Sequence, residues 1–204
     1  MYDLTVNIET EQSGLSYITP GIHDNLKLAK PDGTTPIVYE KSANGNEFIA
    51  FHFMNPEGLT FVHTEWVPKS DKADILAKKE SNLTKRLLHI GKKIVDGSLF
   101  KTIKTSSFEE LAKSYINIIG NNYINKLFRG KIIYNNKNYT TFPNYVPFIE
   151  SMDIPIEKSN LKIGGDDKVV KSQADVIQSR PNPFTVEQTS EGLKVTQPED
   201  NLPF

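Results

Sequence analysis

Aromatic and basic side chains are concentrated in two stretches of the 204-residue sequence. Residues 47–66 are rich in Phe, His and Trp, and residues 126–142 interleave Tyr and Phe with Lys and Arg. An exposed aromatic face stacks a nucleobase for on the order of 1 to 3 kcal/mol, and a nearby cation neutralises a phosphate. The two stretches together predict a surface for a single-stranded polynucleotide.

In the first stretch, the hairpin register decides which aromatic side chains face outward. Pairing Met54 with Leu59 divides the two strands into two faces. The more aliphatic face, which we expect to be the core, comprises Ile49, Phe51, Phe53 and Val62. The other face is the predicted stacking platform and comprises Phe48, His52, Phe61 and His63, with Trp66 nearby. The alternatives are a platform that packs internally and a β-bulge that exchanges the two faces.

The second stretch spans a predicted strand and the loop that follows it. Its candidate contacts to a nucleic acid are Arg129, Lys131, Tyr134, Lys137, Tyr139 and Phe142. In five-stranded β-barrels that bind single-stranded nucleic acids, the loop between the fourth and fifth strands often contacts the bound strand. This stretch is predicted to contain such a loop, which favours a role in nucleic-acid binding. The alternative is a hairpin whose tyrosines pack on the barrel.

A predicted helix between the two stretches presents two rows of cations with a spacing of seven residues. On a helical wheel these rows lie opposite the apolar positions, so one face packs and the other is basic. The predicted phosphate contacts in these rows are Lys78, Lys85, Arg86, Lys92 and Lys93. A solvated surface without a ligand is the ordinary alternative.

The net charge of −1 conceals an uneven distribution of charge along the chain. Residues 1–68 hold 3 basic and 9 acidic side chains, residues 69–149 hold 15 and 6, and residues 150–204 hold 6 and 10. The middle segment is therefore +9 and the two flanking segments are −6 and −4. A basic middle segment indicates a polyanion-binding surface.

The composition also limits the kinds of chemistry available. The chain has no Cys, which excludes disulfides, thiolate metal sites and a cysteine nucleophile. No signal peptide or membrane-spanning segment is recognisable, so we expect a soluble cytoplasmic protein that does not contact a membrane. We predict no catalytic residue, no metal site and no cofactor.

The hydrophobic periodicity predicts the elements that position these residues. Strand patterns broken by turn signals precede the basic helix, and a second helix begins at Ser107, which forms a capping box with Glu110. The predicted strands are 21–39, interrupted by a turn at 30–33, then 47–54, 59–67, 126–134 and 139–149, with helices at about 70–97 and 107–120.

Three strands, a helical segment and two further strands are the order of the five-stranded oligonucleotide-binding (OB) barrel. We expect a mainly β domain of this type over residues 1–160, with a helical insertion at about 70–124. An unrelated α+β sandwich is the alternative. Residues 161–204 are too polar to form a core, and we expect them to be a disordered tail that is acidic overall.

The last residues of the chain combine two acids with apolar side chains and a terminal aromatic residue. The terminal aromatic side chain of such a tip can fill an apolar pocket on another protein, while its acidic side chains form ion pairs with Arg or Lys of that protein. A frayed terminus is the alternative. The predicted partner-binding residues are Glu199, Asp200, Leu202, Pro203 and Phe204.

Two parts of the chain are similar to known proteins. The sequence PGIHDN at residues 20–25, NGNEF at 44–48 and HTEW at 63–66 resembles single-stranded DNA-binding proteins of tailed bacteriophages. The ending DNLPF at 200–204 is similar to the acidic tip of bacterial single-stranded DNA-binding proteins. The resemblance implies a protein that binds single-stranded DNA without sequence specificity during DNA replication, recombination and repair. If the protein is phage-encoded, it would act in the host bacterial cytoplasm.

The expected partners are single-stranded DNA, replication and recombination proteins that bind the tip, and further copies of the chain. One alternative function is a protein-interaction adaptor or virion component that uses the barrel without nucleic acid. A metal-dependent nuclease is another, with Glu47, Glu57 and Glu65 as the acids for a magnesium site.

Overall fold

The computed structural model describes residues 17–171 of the chain. The chain divides into two units, Met1–Val170 and Lys171–Phe204, and the fold described below belongs to the first unit. The partner-binding tip predicted at residues 199–204 lies outside the described residues.

The described part of the chain is mainly a curled antiparallel sheet accompanied by a few helices. Its strands are β1 Gly21–Leu28, β2 Ile37–Lys41, β3 Glu47–Met54, β4 Thr60–Trp66, β5 Phe128–Tyr134, β6 Thr140–Thr141 and β7 Ile149–Ser151. The helices are α1 Ala73–Gly91 and α2 Phe108–Ile119, with 3₁₀ turns at Gly97–Thr102 and Ile156–Lys158. In this part of the chain, no helix has the length and apolarity needed to cross a membrane.

The sheet curls because β1 and β2 share one edge of β3. The end of β1 pairs with the end of β3, whereas β2 pairs with the first half of β3. The other edge of β3 pairs with β4, and β1 pairs with β5 from Gly21 to Leu26. Asn25, with a φ of 57°, lies at a register irregularity within the β1–β5 pairing, just before β1 begins to pair with β3 at Lys27. The predicted break of the first strand at residues 30–33 is confirmed, because β1 ends at Leu28 and β2 begins at Ile37.

The β3–β4 turn sets a register different from the predicted one. Asn55 Oδ1 accepts hydrogen bonds from the backbone N–H of Glu57 (3.1 Å) and of Leu59 (2.8 Å), and Gly58 has a φ of 81°. Met54 consequently pairs with Thr60, not with Leu59. Because side chains alternate along a strand, this one-residue shift exchanges the faces of β4.

The core lies between the inner face of the sheet and the helices. The prediction that Ile49, Phe51 and Phe53 belong to it is confirmed, but Val62 is 39% exposed and Phe61 takes the inner position. The rings of Phe53 and Phe61 stack with their centroids 5.1 Å apart. The corrected register of β4 is the reason for this exchange.

Helices α1 and α2 pack through the apolar faces that the sequence predicts. Leu83, Leu87 and Ile90 of α1 are buried, and the Tyr115 hydroxyl of α2 donates a 2.8 Å hydrogen bond to the Leu87 carbonyl. The predicted N-cap of α2 is confirmed, because Ser107 Oγ accepts from the Glu110 N–H at 3.2 Å, but the Glu110 carboxylate accepts from the Ser106 N–H and not from that of Ser107 as a capping box requires. Helix α1 ends at Gly91, six residues before the predicted stop.

Candidate nucleic-acid interface

The outer face of β3 and β4 is formed by four cross-strand pairs. Residues directly opposite each other point to the same side of a sheet, so each pair lies on one face. The pairs are Phe48–Trp66, Ala50–Thr64, His52–Val62 and Met54–Thr60. We call these eight residues the β3–β4 outer face. Of the predicted stacking residues, Phe48, His52 and Trp66 belong to it.

Trp66 and Phe48 form an aromatic pair at one end of this face. Their ring centroids are 4.5 Å apart with an interplanar angle of 40°, and Trp66 is 46% exposed. The indole Nε1–H donates a 3.0 Å hydrogen bond to Thr64 Oγ1. Contacts with Phe48 and Thr64 thus fix the orientation of a ring that leaves much of its surface open to solvent. The sequence analysis missed Thr64, although its position two residues before Trp66 puts both on one side of the strand.

His52 lies farther along the same face, opposite Val62. Partial burial lowers the pKa of the His52 imidazole, and the nearby charge of Lys30 lowers it further. The neutral imidazole is therefore favoured at neutral pH, as suits a flat surface for a base.

Two predicted stacking residues, Phe61 and His63, are buried on the inner face. The imidazole of His63 lies 2.9 Å from Glu65 Oε1 through Nε2 and 3.0 Å from Thr141 Oγ1 through Nδ1. Neither ring can accept a base in this position. The prediction was wrong for both residues because the β3–β4 turn includes Leu59 and is one residue longer than predicted.

Arg86, predicted to contact phosphate, is paired with a buried carboxylate. Its Nε donates to Glu65 Oε1 at 2.8 Å and Oε2 at 3.0 Å, and its Nη2 donates to Oε2 as well. Burial opposes the ionisation of Glu65, but its hydrogen bonds from Arg86 and His63 hold its pKa below the usual range. Arg86 therefore stabilises an interior anion and joins α1 to β4, which corrects the predicted role.

Arg129, another predicted phosphate contact, is buried on the outer side of β5. Its Nε donates to Asp24 Oδ1 at 2.6 Å, and its Nη1 donates to Glu150 Oε1 at 2.9 Å and to the Ile154 carbonyl at 3.2 Å. The guanidinium is fully engaged with the protein, so the predicted phosphate contact is wrong.

Lys131, two residues further along β5, is buried in the same way. Its ammonium donates to Asp167 Oδ2 at 3.1 Å, to the Tyr145 hydroxyl at 2.8 Å and to the Lys162 carbonyl at 3.1 Å. This ion pair ties residues 161–168 to the sheet, although the sequence analysis assigns them to the tail. Lys131 is thus a structural cation, which corrects its predicted phosphate contact.

The β5–β6 loop is exposed at its tip. Asn135 Oδ1 accepts from the N–H groups of Lys137 (2.9 Å) and Tyr139 (3.1 Å), which orders the turn. Tyr139 is 68% exposed and Lys137 is exposed, whereas Tyr134 is half-buried. Phe142 is buried in the core, so its predicted contact with nucleic acid is wrong.

The remaining predicted cations lie on or just after α1. Lys78, Lys85 and Lys92 are exposed, and Lys93 is half-buried. They are accessible to a polyanion, and their contacts with phosphate stay a prediction.

The three glutamates considered for a magnesium site have separate surroundings. Glu65 is buried against Arg86, Glu47 pairs with Lys41 at 3.0 Å, and Glu57 is exposed in the β3–β4 turn. Among residues 17–171 there is no group of three or more His, Asp or Glu side chains that could hold a metal ion.

No model of a known protein family matches the chain, and no curated protein is significantly similar to it.

Proposed function

We propose that the protein binds single-stranded DNA without sequence specificity and that bases stack on the β3–β4 outer face. The observation that carries this proposal is the Trp66 ring, which is half exposed and held in place by Phe48 and Thr64. A rigid aromatic surface open to solvent is the feature that single-strand binders use, because every base has a face that can stack. Prior fixation of the ring reduces the entropy lost on binding.

We propose further that the sheet is an OB barrel. In this interpretation β1 and β2 are the interrupted first strand, β3 and β4 are the second and third, β5 is the fourth, and β6 with β7 is the fifth. Strand pairing supports it, since the first strand lies between the second and the fourth, and the fifth pairs with the fourth. The His63–Thr141 contact supports a closed barrel by bringing the third strand to the fifth.

This assignment agrees with the proposed position of the ligand. OB barrels bind single strands across their second and third strands and the adjoining loops. The β3–β4 outer face consists of those two strands, and the β5–β6 loop with Lys137 and Tyr139 is the loop between the fourth and fifth strands. The exposed lysines of α1 add positive charge that favours a polyanion.

In the cell, such a protein would coat transient single strands during replication, recombination and repair, protecting them and removing secondary structure. The phage-type sequence resemblance supports this role. The tip at residues 199–204 would recruit partner proteins, in line with its likeness to the bacterial tip.

The proposal is tested by titrating a fluorescently labelled oligo(dT) with the full-length protein at several salt concentrations, with magnesium present in a parallel series. We expect tight binding at low salt, a steep loss of affinity with added salt and no cleavage. A hairpin duplex of the same length should bind more weakly. Failure to bind oligo(dT) at low salt would favour the adaptor function, and magnesium-dependent cleavage would favour the nuclease.

A further inference from the structure

A cleft of about 370 Å³ lies beside the exposed ring of Trp66. Its walls come from the end of β4 and the segment after it, from α1, and from the segment between β6 and β7. The polar lining residues are Lys69, Lys79, Asn82, Arg86 and Asn144. Of the described residues that line the cleft, none is acidic.

One wall of the cleft is a single side of α1. Lys79, Asn82 and Arg86 are separated by three and four residues, a spacing that aligns side chains along one helix face. Arg86 is held by Glu65 and donates at 3.4 Å to the Asn144 carbonyl, so its guanidinium has a fixed position in the lining of the cleft. Its charge is matched by the buried carboxylate beneath it. The cations that remain for a ligand are those of Lys69 and Lys79.

Both lysines are anchored to the protein but keep donors for a ligand. Lys69 Nζ donates to Asn46 Oδ1, and Lys79 Nζ donates to the Lys69 carbonyl at 2.8 Å. Because an ammonium carries three N–H donors, at least one hydrogen bond from each remains for an anion. Both residues line the cleft, and the Lys79 ammonium lies against the backbone of Lys69.

We propose that this cleft binds the backbone phosphate of the nucleotide whose base stacks on Trp66, with Lys69 and Lys79 as the ligands of the phosphate. The inference rests on the proposed function. Trp66 itself lines the cleft, so one nucleotide can place its base on the ring and its phosphate between the lysines. The amides of Asn82 and Asn144 lie within the same cleft and can bond the sugar or phosphate oxygens.

The test compares Lys69→Gln, Lys79→Gln and the double variant with Lys101→Gln, which removes an exposed lysine from the 3₁₀ turn at Gly97–Thr102. Each protein is titrated with labelled oligo(dT) across a salt series. Loss of each phosphate contact is expected to reduce the slope of log K against log salt by about 0.7. The double variant should bind several-fold more weakly at low salt, whereas Lys101→Gln should behave as the wild type.

A second ligand separates the phosphate site from the stacking site. An abasic sugar–phosphate oligomer of the same length has the phosphates but no base to stack. Its affinity should depend on Lys69 and Lys79 and be insensitive to Trp66→Ala, whereas oligo(dT) should respond to all three changes. Lys79→Arg, which keeps the charge, should retain most of the affinity.

The outcomes distinguish the two proposals. If the wild type binds oligo(dT) and the double variant keeps the same affinity and salt slope, the cleft is not a phosphate site and the proposed function stands. If the double variant loses no more affinity for oligo(dT) than Lys101→Gln does, the cleft is likewise not a phosphate site, because the loss would then reflect only the change in net charge. If the wild type does not bind oligo(dT), both proposals fail.

Discussion

The outer sides of β5 and of β3–β4 carry residues of types that could bind a polynucleotide, yet they have opposite environments. On β5, Arg129 and Lys131 are buried and each is paired with a buried carboxylate. On β3 and β4, the ring of Trp66 and the side chain of Val62 stay exposed. Residue type gives the chemistry a side chain can perform, but the segments packed over it decide whether a ligand can reach it.

The covering segment explains the difference. Residues 150–167 begin on β7, where Glu150 lies directly opposite Arg129, and continue across the outer side of β5, where Asp167 pairs with Lys131. Within the described chain, the side-chain hydrogen bond of the β3–β4 outer face is the local one from Trp66 to Thr64. A ligand can therefore displace solvent from β3–β4, whereas at β5 it would have to displace part of the fold.

The largest expected effect comes from breaking an ion pair on the covered side. Arg129→Met leaves the Glu150 carboxylate buried without its cation, which is expected to cost about 3–5 kcal/mol of unfolding free energy. Urea denaturation followed by circular dichroism measures it, and the folded variant should bind oligo(dT) nearly as well as the wild type. Lys126→Met, at an exposed site just before β5, is the control. A loss of less than about 1 kcal/mol would mean that the pair is not structural.

The exposed side should respond in the opposite way. Trp66→Ala removes the ring on which we propose that a base stacks, so the affinity for oligo(dT) should fall about 5- to 150-fold, equivalent to about 1–3 kcal/mol. Because Trp66 is half exposed, the unfolding free energy should change by no more than about 1 kcal/mol. Fluorescence anisotropy gives the affinity, and Leu99→Ala, at another exposed apolar position, is the control. Unchanged affinity would remove the β3–β4 outer face from the interface.

A smaller, pH-dependent effect is expected at His89, which supports the strand beside β5. Its Nε2 accepts weak hydrogen bonds from the N–H groups of Phe148 (3.3 Å) and Ile149 (3.4 Å). Burial, with a further contribution from the charge of Lys93, lowers the pKa of His89 from 6.5 to about 4. The unfolded chain therefore binds a proton more readily, and the contribution of His89 to stability is lost as the pH falls from about 6.5 to 4.

The His89→Gln variant tests this dependence, since Gln does not titrate. Its melting temperature should fall less steeply than that of the wild type between pH 6.5 and 4, by a difference of a few degrees. Parallel curves for the two proteins over this range would contradict the assignment.

Local patterns in the sequence were sufficient to predict much of the core. The alternation of Ile49, Phe51 and Phe53 and the helical spacing of Leu83 and Leu87 depend only on neighbouring residues, and the structure confirms both. The cap at Ser107 is equally local.

The errors arose where one residue or a distant segment decides the outcome. The β3–β4 turn includes Leu59 as well as the predicted residues, which shifts the register of β4 by one residue and thereby moves Phe61 and His63 inward. Arg129 and Lys131 look like surface cations because their partners on the covering segment lie 21 and 36 residues away. Neither pairing leaves a periodic signal in the sequence. Half of the predicted stacking platform and both β5 cations were misplaced for these reasons.

The central claim is that bases stack on Trp66, and the intrinsic fluorescence of the protein tests it directly because the chain contains only one Trp. Titration of the unlabelled wild type with oligo(dT) at low salt should quench this emission in a saturable manner. Phe48→Ala, which removes the supporting ring, should weaken both the quenching and the affinity. Bound oligo(dT), detected by anisotropy, that leaves the Trp66 emission unchanged would contradict the account.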